Sequence, residues 1–217
     1  MGWQRAGHPR KVILAGAAVK APVFMPLPAL THRQAFQFIN DCWMFLFAVW
    51  VLAMFSAKRS QERWSPLTHL GYTFSWVVTF ALLFRFPGLD APRLVDPGPV
   101  PSGMAVGLSA AGLVIAIWAR MILGRNWSGS ITFKRDHELI EQGPYRLVRH
   151  PIYTGLLLMV AATAIARGTL WAFLGLVLFL VIHLWKLRRE EELLTRHFPD
   201  SYPAYRTRTK ALIPFLY

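Results

Sequence analysis

Residues 143 to 155 read Gly-Pro-Tyr-Arg-Leu-Val-Arg-His-Pro-Ile-Tyr-Thr-Gly, a turn followed by a crowd of ionisable and aromatic side chains. Gly143-Pro144 ends whatever precedes it. Pro151 suits the first position of a new helix, because its fixed φ is already helical and its missing N–H has no partner to lose. His150 then stands at the N-cap. The free N–H groups of Ile152, Tyr153 and Thr154 point back toward the turn in such a helix, a seat for a carboxylate or phosphate. Arg149 carries the planar fork that grips a carboxylate through two hydrogen bonds. Three roles are open to His150, as cap, proton carrier or ligand contact, and with no partner in view capping is the simplest. Tyr145 and Tyr153 suit a membrane interface and a cofactor's flat face equally well.

A second group follows Arg188-Arg189: the run Glu190, Glu191, Glu192. Such a run is most often a solvated face. On a helix each glutamate is rotated about 100° from the next, so only one or two can face inward, where they can accept hydrogen bonds from amino or ribose hydroxyl groups. Arg120 lies inside an apolar run, which makes it either a functional residue or an anchor that snorkels to the headgroups. Arg120, Arg149 and Glu190 are therefore the candidates for catalysis. No metal-ligand spacing, dinucleotide fingerprint or phosphate loop is present, and the single cysteine, Cys42, excludes an intrachain disulfide. The residues taken alone lead to a polar, anion-binding site at an interface and name no reaction.

The elements that position these groups are membrane spans. Of the 217 residues 54% are hydrophobic and 16% charged, with mean hydropathy +0.35, against about a quarter charged in a soluble domain. The net charge of +13 is spread over short loops between apolar runs, which argues for membrane anchoring and against nucleic acid. Apolar runs predict about five transmembrane helices, at 38–57, 67–86, 100–123, 152–166 and 169–185, the last continuing into a charged helix over 186–197. The fold class is all-α and integral to the membrane, with a C-terminal cytosolic cofactor-binding region. Residues 1–37 read as a tail or interfacial segment, 38–99 as a pair of spans with a connector, and 100–217 as the core. Gly103, Gly107, Ala111 and Gly112 have a spacing that allows close helix packing. With five spans, fifteen lysines and arginines fall on the side of residues 143–155 and eight on the other, which puts that motif and the tail on the cytoplasmic face.

The stretch Leu-Gly-Arg-Asn-Trp-Ser at 123–128, His137-Glu138-Leu139, Gly143-Pro144-Tyr145, Arg149-His150-Pro151-Ile152-Tyr153-Thr154-Gly155, Glu190-Glu191, Phe198, Tyr202, Tyr205 and Ile213-Pro214 resemble the isoprenylcysteine carboxyl methyltransferase family. The resemblance covers roughly residues 100–217. It implies a membrane enzyme that uses S-adenosyl-L-methionine to methylate a lipophilic or lipidated acceptor met in the bilayer. Tyr145, Arg149, His150, Pro151, Tyr153 and Gly155 would line the cofactor pocket, with Glu190 and Glu191 reaching it from the last helix and His137, Gly143 and Pro144 belonging to the same site. No metal is implied. Phospholipid N-methyltransferases, small-thiol S-methyltransferases and NADPH-dependent sterol reductases share related C-terminal patterns and remain alternatives.

Overall fold

The computed structural model describes residues 30–54, 65–84, 92–124 and 139–214. Helix α1 spans His32–Met54 and starts well before residue 38. Thr31 and Gln34 form a reciprocal cap: the Gln34 N–H donates to Thr31 Oγ1 at 3.3 Å, and the Thr31 N–H donates to Gln34 Oε1 at 3.0 Å. The end of the expected tail segment thus belongs to the first helix, while residues 1–29 lie outside the described residues.

Helix α2, Pro66–Phe84, opens on a proline behind Ser65, whose Oγ accepts from the Thr68 N–H. Helix α3, Pro99–Leu123, begins on proline and stops at Gly124. After a short 3-10 turn over Gly143–Arg146, helix α4 runs Pro151–Arg167 and ends at Gly168, whose φ of 65° is open to glycine at little cost. Thr169 caps α5, Leu170–His197, its side chain accepting from the Ala172 N–H. A short α6, Ser201–Arg208, was not expected; Pro203 reads as a breaker, but it falls in the first turn, where a missing N–H is harmless.

Helices α1, α2, α3 and α5 are each long and apolar enough to cross a membrane. Helix α4 has 17 residues, about 25 Å, against the roughly 30 Å hydrocarbon core. It sits at the centre, packed on α1, α2, α3 and α5, and Leu156, Met159, Val160, Ala162, Thr163 and Ala164 are buried along it. Its length follows from that position, since a helix wrapped by protein need not match the lipid.

The α3 face against α4 is lined with small side chains, Ser102, Ala105, Ser109, Gly112, Ala116 and Ala119. At Gly112 and Gly155 the two backbones almost touch: a Cβ on either glycine would stand 2.5 Å from the other's carbonyl oxygen. Gly103 and Gly107, which the spacing also singled out, face open space. Spacing by four residues identifies a stripe of small residues, but not which of two neighbouring stripes meets a partner.

The bundle has two ends. At one, the N-terminus of α1 meets the α4–α5 turn and the connector before α3. His32 Nε2 donates to the Ala166 carbonyl at 2.7 Å, and the N–H groups of Leu94 and Val95 donate to the Gly168 carbonyl. At the other end lie the 3-10 turn, the start of α4, the charged end of α5 and the chain after α6.

Candidate active site

The tail organises the second end. Val148 pairs with Lys210 in an isolated parallel bridge; the Arg149 N–H donates to the Lys210 carbonyl at 2.8 Å and the His150 N–H to the Ala211 carbonyl at 3.0 Å. Thr154 Oγ1 donates to the Leu212 carbonyl at 2.7 Å. Tail carbonyls thus lie against the start of α4, and the Thr154 N–H donates to the His150 carbonyl at 3.1 Å.

Ionisable side chains here form one network. Glu191 Oε1 accepts from Arg149 Nε at 2.7 Å and lies 3.4 Å from His150 Nε2, while its Oε2 lies 3.6 Å from Arg206 Nε. Glu190 Oε1 accepts from the Tyr153 hydroxyl at 2.6 Å and stands 4.0 Å from Lys186 Nζ; its Oε2 lies 3.5 Å from His150 Nδ1. Arg149 also donates to the carbonyls of Arg206 and Thr209, which ties the tail to the motif. Two carboxylates thus face four cationic groups, Arg149, His150, Lys186 and Arg206.

His150 occupies the N-cap position of α4, yet its side chain makes no capping bond. The expected cap is corrected because the imidazole has better partners: each ring nitrogen faces a carboxylate, and only the imidazolium can donate to both. Burial pulls its pKa down, but hydrogen bonding and the charges of Glu190 and Glu191 outweigh that and leave it above the ordinary histidine value. The ring stacks on Tyr153, 5.6 Å between centroids with 8° between planes.

The other expected site residues take different places. Glu192 points outward to Arg189, so the inward pair is Glu190 and Glu191. Tyr145 is buried; its hydroxyl donates to the Ala119 carbonyl at 3.4 Å and its own carbonyl accepts from the Tyr205 hydroxyl at 2.6 Å. Gly143, at φ 59°, and the buried Pro144 shape that turn. Pro151 starts α4, and Gly155 lies on the α3–α4 seam. Arg120 is buried, its guanidinium donating to the carbonyls of Gly124 at 2.7 Å and Ala53 at 3.1 Å. It ties the end of α1 to the end of α3. His137 lies outside the described residues.

Tyr202, Arg206 and Lys186 join the site without having been assigned to it from the sequence. Lys186 stands four residues before Glu190, the i, i+4 spacing of an ion pair, which was the one available signal. Tyr202 Oη is a buried polar atom with no hydrogen-bond partner among the described residues. Burial, and then the charge of Glu191, push the Tyr202 hydroxyl well above its ordinary range, so it stays a neutral donor.

Fold and site together define a multi-pass, all-helical membrane protein with a buried carboxylate, imidazolium and guanidinium centre under its C-terminal tail. The phospholipid methyltransferase family profile matches residues 102–201. A probable protein-S-isoprenylcysteine O-methyltransferase of Oryza sativa is 30% identical over 194 residues, 85% of this chain and 98% of that protein. The protein-S-isoprenylcysteine O-methyltransferase of Schizosaccharomyces pombe is 32% identical over 119 residues, 52% of this chain, and the match spans about half of the yeast protein, 49%. The eukaryotic intramembrane Ras methyltransferase, isoprenylcysteine carboxyl methyltransferase, superposes with a TM-score of 0.58 at 19% identity, covering 88% of this chain and 70% of that one, and so shares the fold. The chain belongs to the isoprenylcysteine carboxyl methyltransferase family.

Proposed function

We propose that this protein is a membrane methyltransferase that uses S-adenosyl-L-methionine to methylate the carboxylate of an isoprenylcysteine at the membrane interface. The observation that carries the reading is the buried cluster in which Glu190 and Glu191 face Arg149, His150, Lys186 and Arg206. Its donor set fits the cofactor's amino-acid end: glutamates suit an ammonium, and the surplus of cations suits a carboxylate. The buried Tyr202 hydroxyl, which lacks a hydrogen bond among the described residues, adds a donor for one more acceptor. When bound, the cofactor supplies an electrophilic methyl group on a sulfonium.

A carboxylate acceptor has no proton to lose, so the protein needs no general base and its main contribution is alignment. Arg149 holds the tail over the site and the Glu191 carboxylate in place, while Tyr153 and His150 orient Glu190. Arg120, two of whose donors are engaged by backbone carbonyls, offers an acidic acceptor its positive charge. The lysine and arginine distribution supports a cytoplasmic position for this end, where a soluble cofactor enters while the lipophilic acceptor arrives through the bilayer.

The test is calorimetric titration of the detergent-purified protein with S-adenosylhomocysteine and with NADPH, followed by an ester-formation assay on an N-acetylated S-isoprenylcysteine. Saturable binding of S-adenosylhomocysteine and transfer to the carboxylate are expected. Binding of NADPH alone would move the chain to the reductases, and cofactor binding with transfer only to a phospholipid amine or a small thiol would replace the acceptor.

A further inference from the structure

Beyond the motif residues, α2 reaches the site through a directed chain of polar groups. Lys186 is buried on α5, its side chain 5% exposed. Its ammonium lies 4.6 Å from the ring centroid of Tyr72 on α2 and 5.3 Å from that of Tyr153 on α4. It donates to Tyr72 Oη at 3.4 Å. The Tyr72 hydroxyl lies 3.2 Å from His183 Nε2, and His183 Nδ1 lies 2.9 Å from the Phe179 carbonyl.

A carbonyl can only accept, so His183 Nδ1 carries the proton and Nε2 accepts a hydrogen bond from the Tyr72 hydroxyl. That direction leaves the Tyr72 lone pairs for Lys186. Two ring faces and a hydroxyl offset the cost of burying an ammonium, and they aim it at the same Glu190 oxygen that Tyr153 donates to.

We infer that Lys186, held by Tyr72 from α2, is a positioning residue that fixes Glu190 for the cofactor's amino-acid group, so that α2 completes a network whose other members, Arg149, His150, Tyr153, Glu190, Glu191 and Arg206, come from α4, α5 and the segments that flank them. The groups facing Glu190 are Lys186 on its own helix, His150 and Tyr153 at the start of α4, and Tyr145 in the 3-10 turn through its charge interaction. Of the side chains within 4.0 Å of the Glu190 carboxylate, Lys186 is the one that donates to Tyr72 of α2. Tyr72 lies outside the matched family segment, 102–201, and the contact is between side chains from elements far apart in sequence.

The inference rests on the methyltransferase reading, and one titration series separates the two. S-adenosylhomocysteine and methylthioadenosine, which lacks the amino-acid group, are titrated into the wild type and the Lys186→Met, Lys186→Arg, Tyr72→Phe and Arg189→Gln variants, with folding checked by size-exclusion profile. Lys186→Met is expected to weaken S-adenosylhomocysteine binding by on the order of tenfold to a hundredfold, the worth of one charge-assisted contact, and to leave methylthioadenosine binding unchanged. Lys186→Arg recovers part of the loss, Tyr72→Phe shows a smaller loss of the same kind, and the exposed Arg189→Gln is silent. Equal weakening of both ligands, or none, in a folded Lys186→Met protein overturns the positioning role. Lys186→Met that does not fold leaves the decision to Tyr72→Phe, where an unchanged ratio of the two affinities overturns it. A wild type that binds neither ligand sinks the methyltransferase reading, and this inference with it.

Discussion

The two ends of the bundle are closed by different chemistry. At the α4–α5 turn, side chains and amides are spent on backbone carbonyls: His32 on Ala166, Leu94 and Val95 on Gly168, and a Cβ on Gly168 would stand 2.1 Å from the Val95 oxygen. The buried donors left over there, Trp171 Nε1 and Ser102 Oγ, are neutral. At the other end, ionised side chains meet each other, cations outnumber carboxylates, and the buried Tyr202 hydroxyl lacks a hydrogen bond among the described residues. An end that only has to hold helices together has no use for a cluster of buried charges. An end that must receive a charged ligand keeps charge and donors in reserve, and so is costly in its ligand-free state.

Substitutions at each end sharpen the contrast. Gly168→Val should have the largest effect, because a β-branched residue in the left-handed region costs roughly 1–3 kcal/mol before the connector is pushed aside; folded yield in detergent falls sharply. The surviving fraction should bind S-adenosylhomocysteine with wild-type affinity, and a weakened affinity would show the ends to be coupled. Glu191→Gln keeps the shape but leaves Arg149 and His150 facing a neutral amide, which should cost about 3 kcal/mol of stability and abolish cofactor binding; a thermal-shift assay with and without ligand reads both.

His150 gives a smaller, pH-dependent effect. Its folded pKa lies above the ordinary value of about 6.5, so its contribution is fully present below that pH and is lost as pH rises through the folded value. The melting-temperature gap between wild type and His150→Gln should therefore be widest in mild acid and narrow on the alkaline side. A gap that widens with pH would mean the imidazole is held neutral. Gly107→Ala should be the mildest change: with open space around it and a helix interior to gain from alanine, stability should rise by about 0.5–1 kcal/mol. A loss there would reveal a packing partner on that face.

Patterns carried by local sequence were readable in advance. The Pro151 helix start, the unbroken passage of α5 into its charged end and the limit on how many glutamates face inward each depend on residues a few positions apart. The family motif likewise named Arg149, His150, Tyr153, Glu190 and Glu191, which the fold gathers into one network. Long-range partners were not readable. His150 looked like a cap because Glu190 and Glu191 lie some forty residues further on, and nothing near Arg120 in sequence pointed to the Ala53 carbonyl, 67 residues before it. Tyr72, with an unremarkable position in an apolar run, carries no local mark of its contact with Lys186. Helix starts set by capping, such as Thr31 with Gln34, were hidden from hydropathy alone.

The lacing of 148–150 to 209–212 also bears on the order in which the molecule can be finished. Arg149 lies 60 residues ahead of its Thr209 partner. At about 5–20 residues per second that interval takes roughly 3–12 s of synthesis. Throughout it, the start of α4 waits at the membrane surface with its donors wet and its arginine unanchored. The helices can insert and the α3–α4 seam can close while the ribosome is still working, but the site itself cannot close until residues 209–212 have been made.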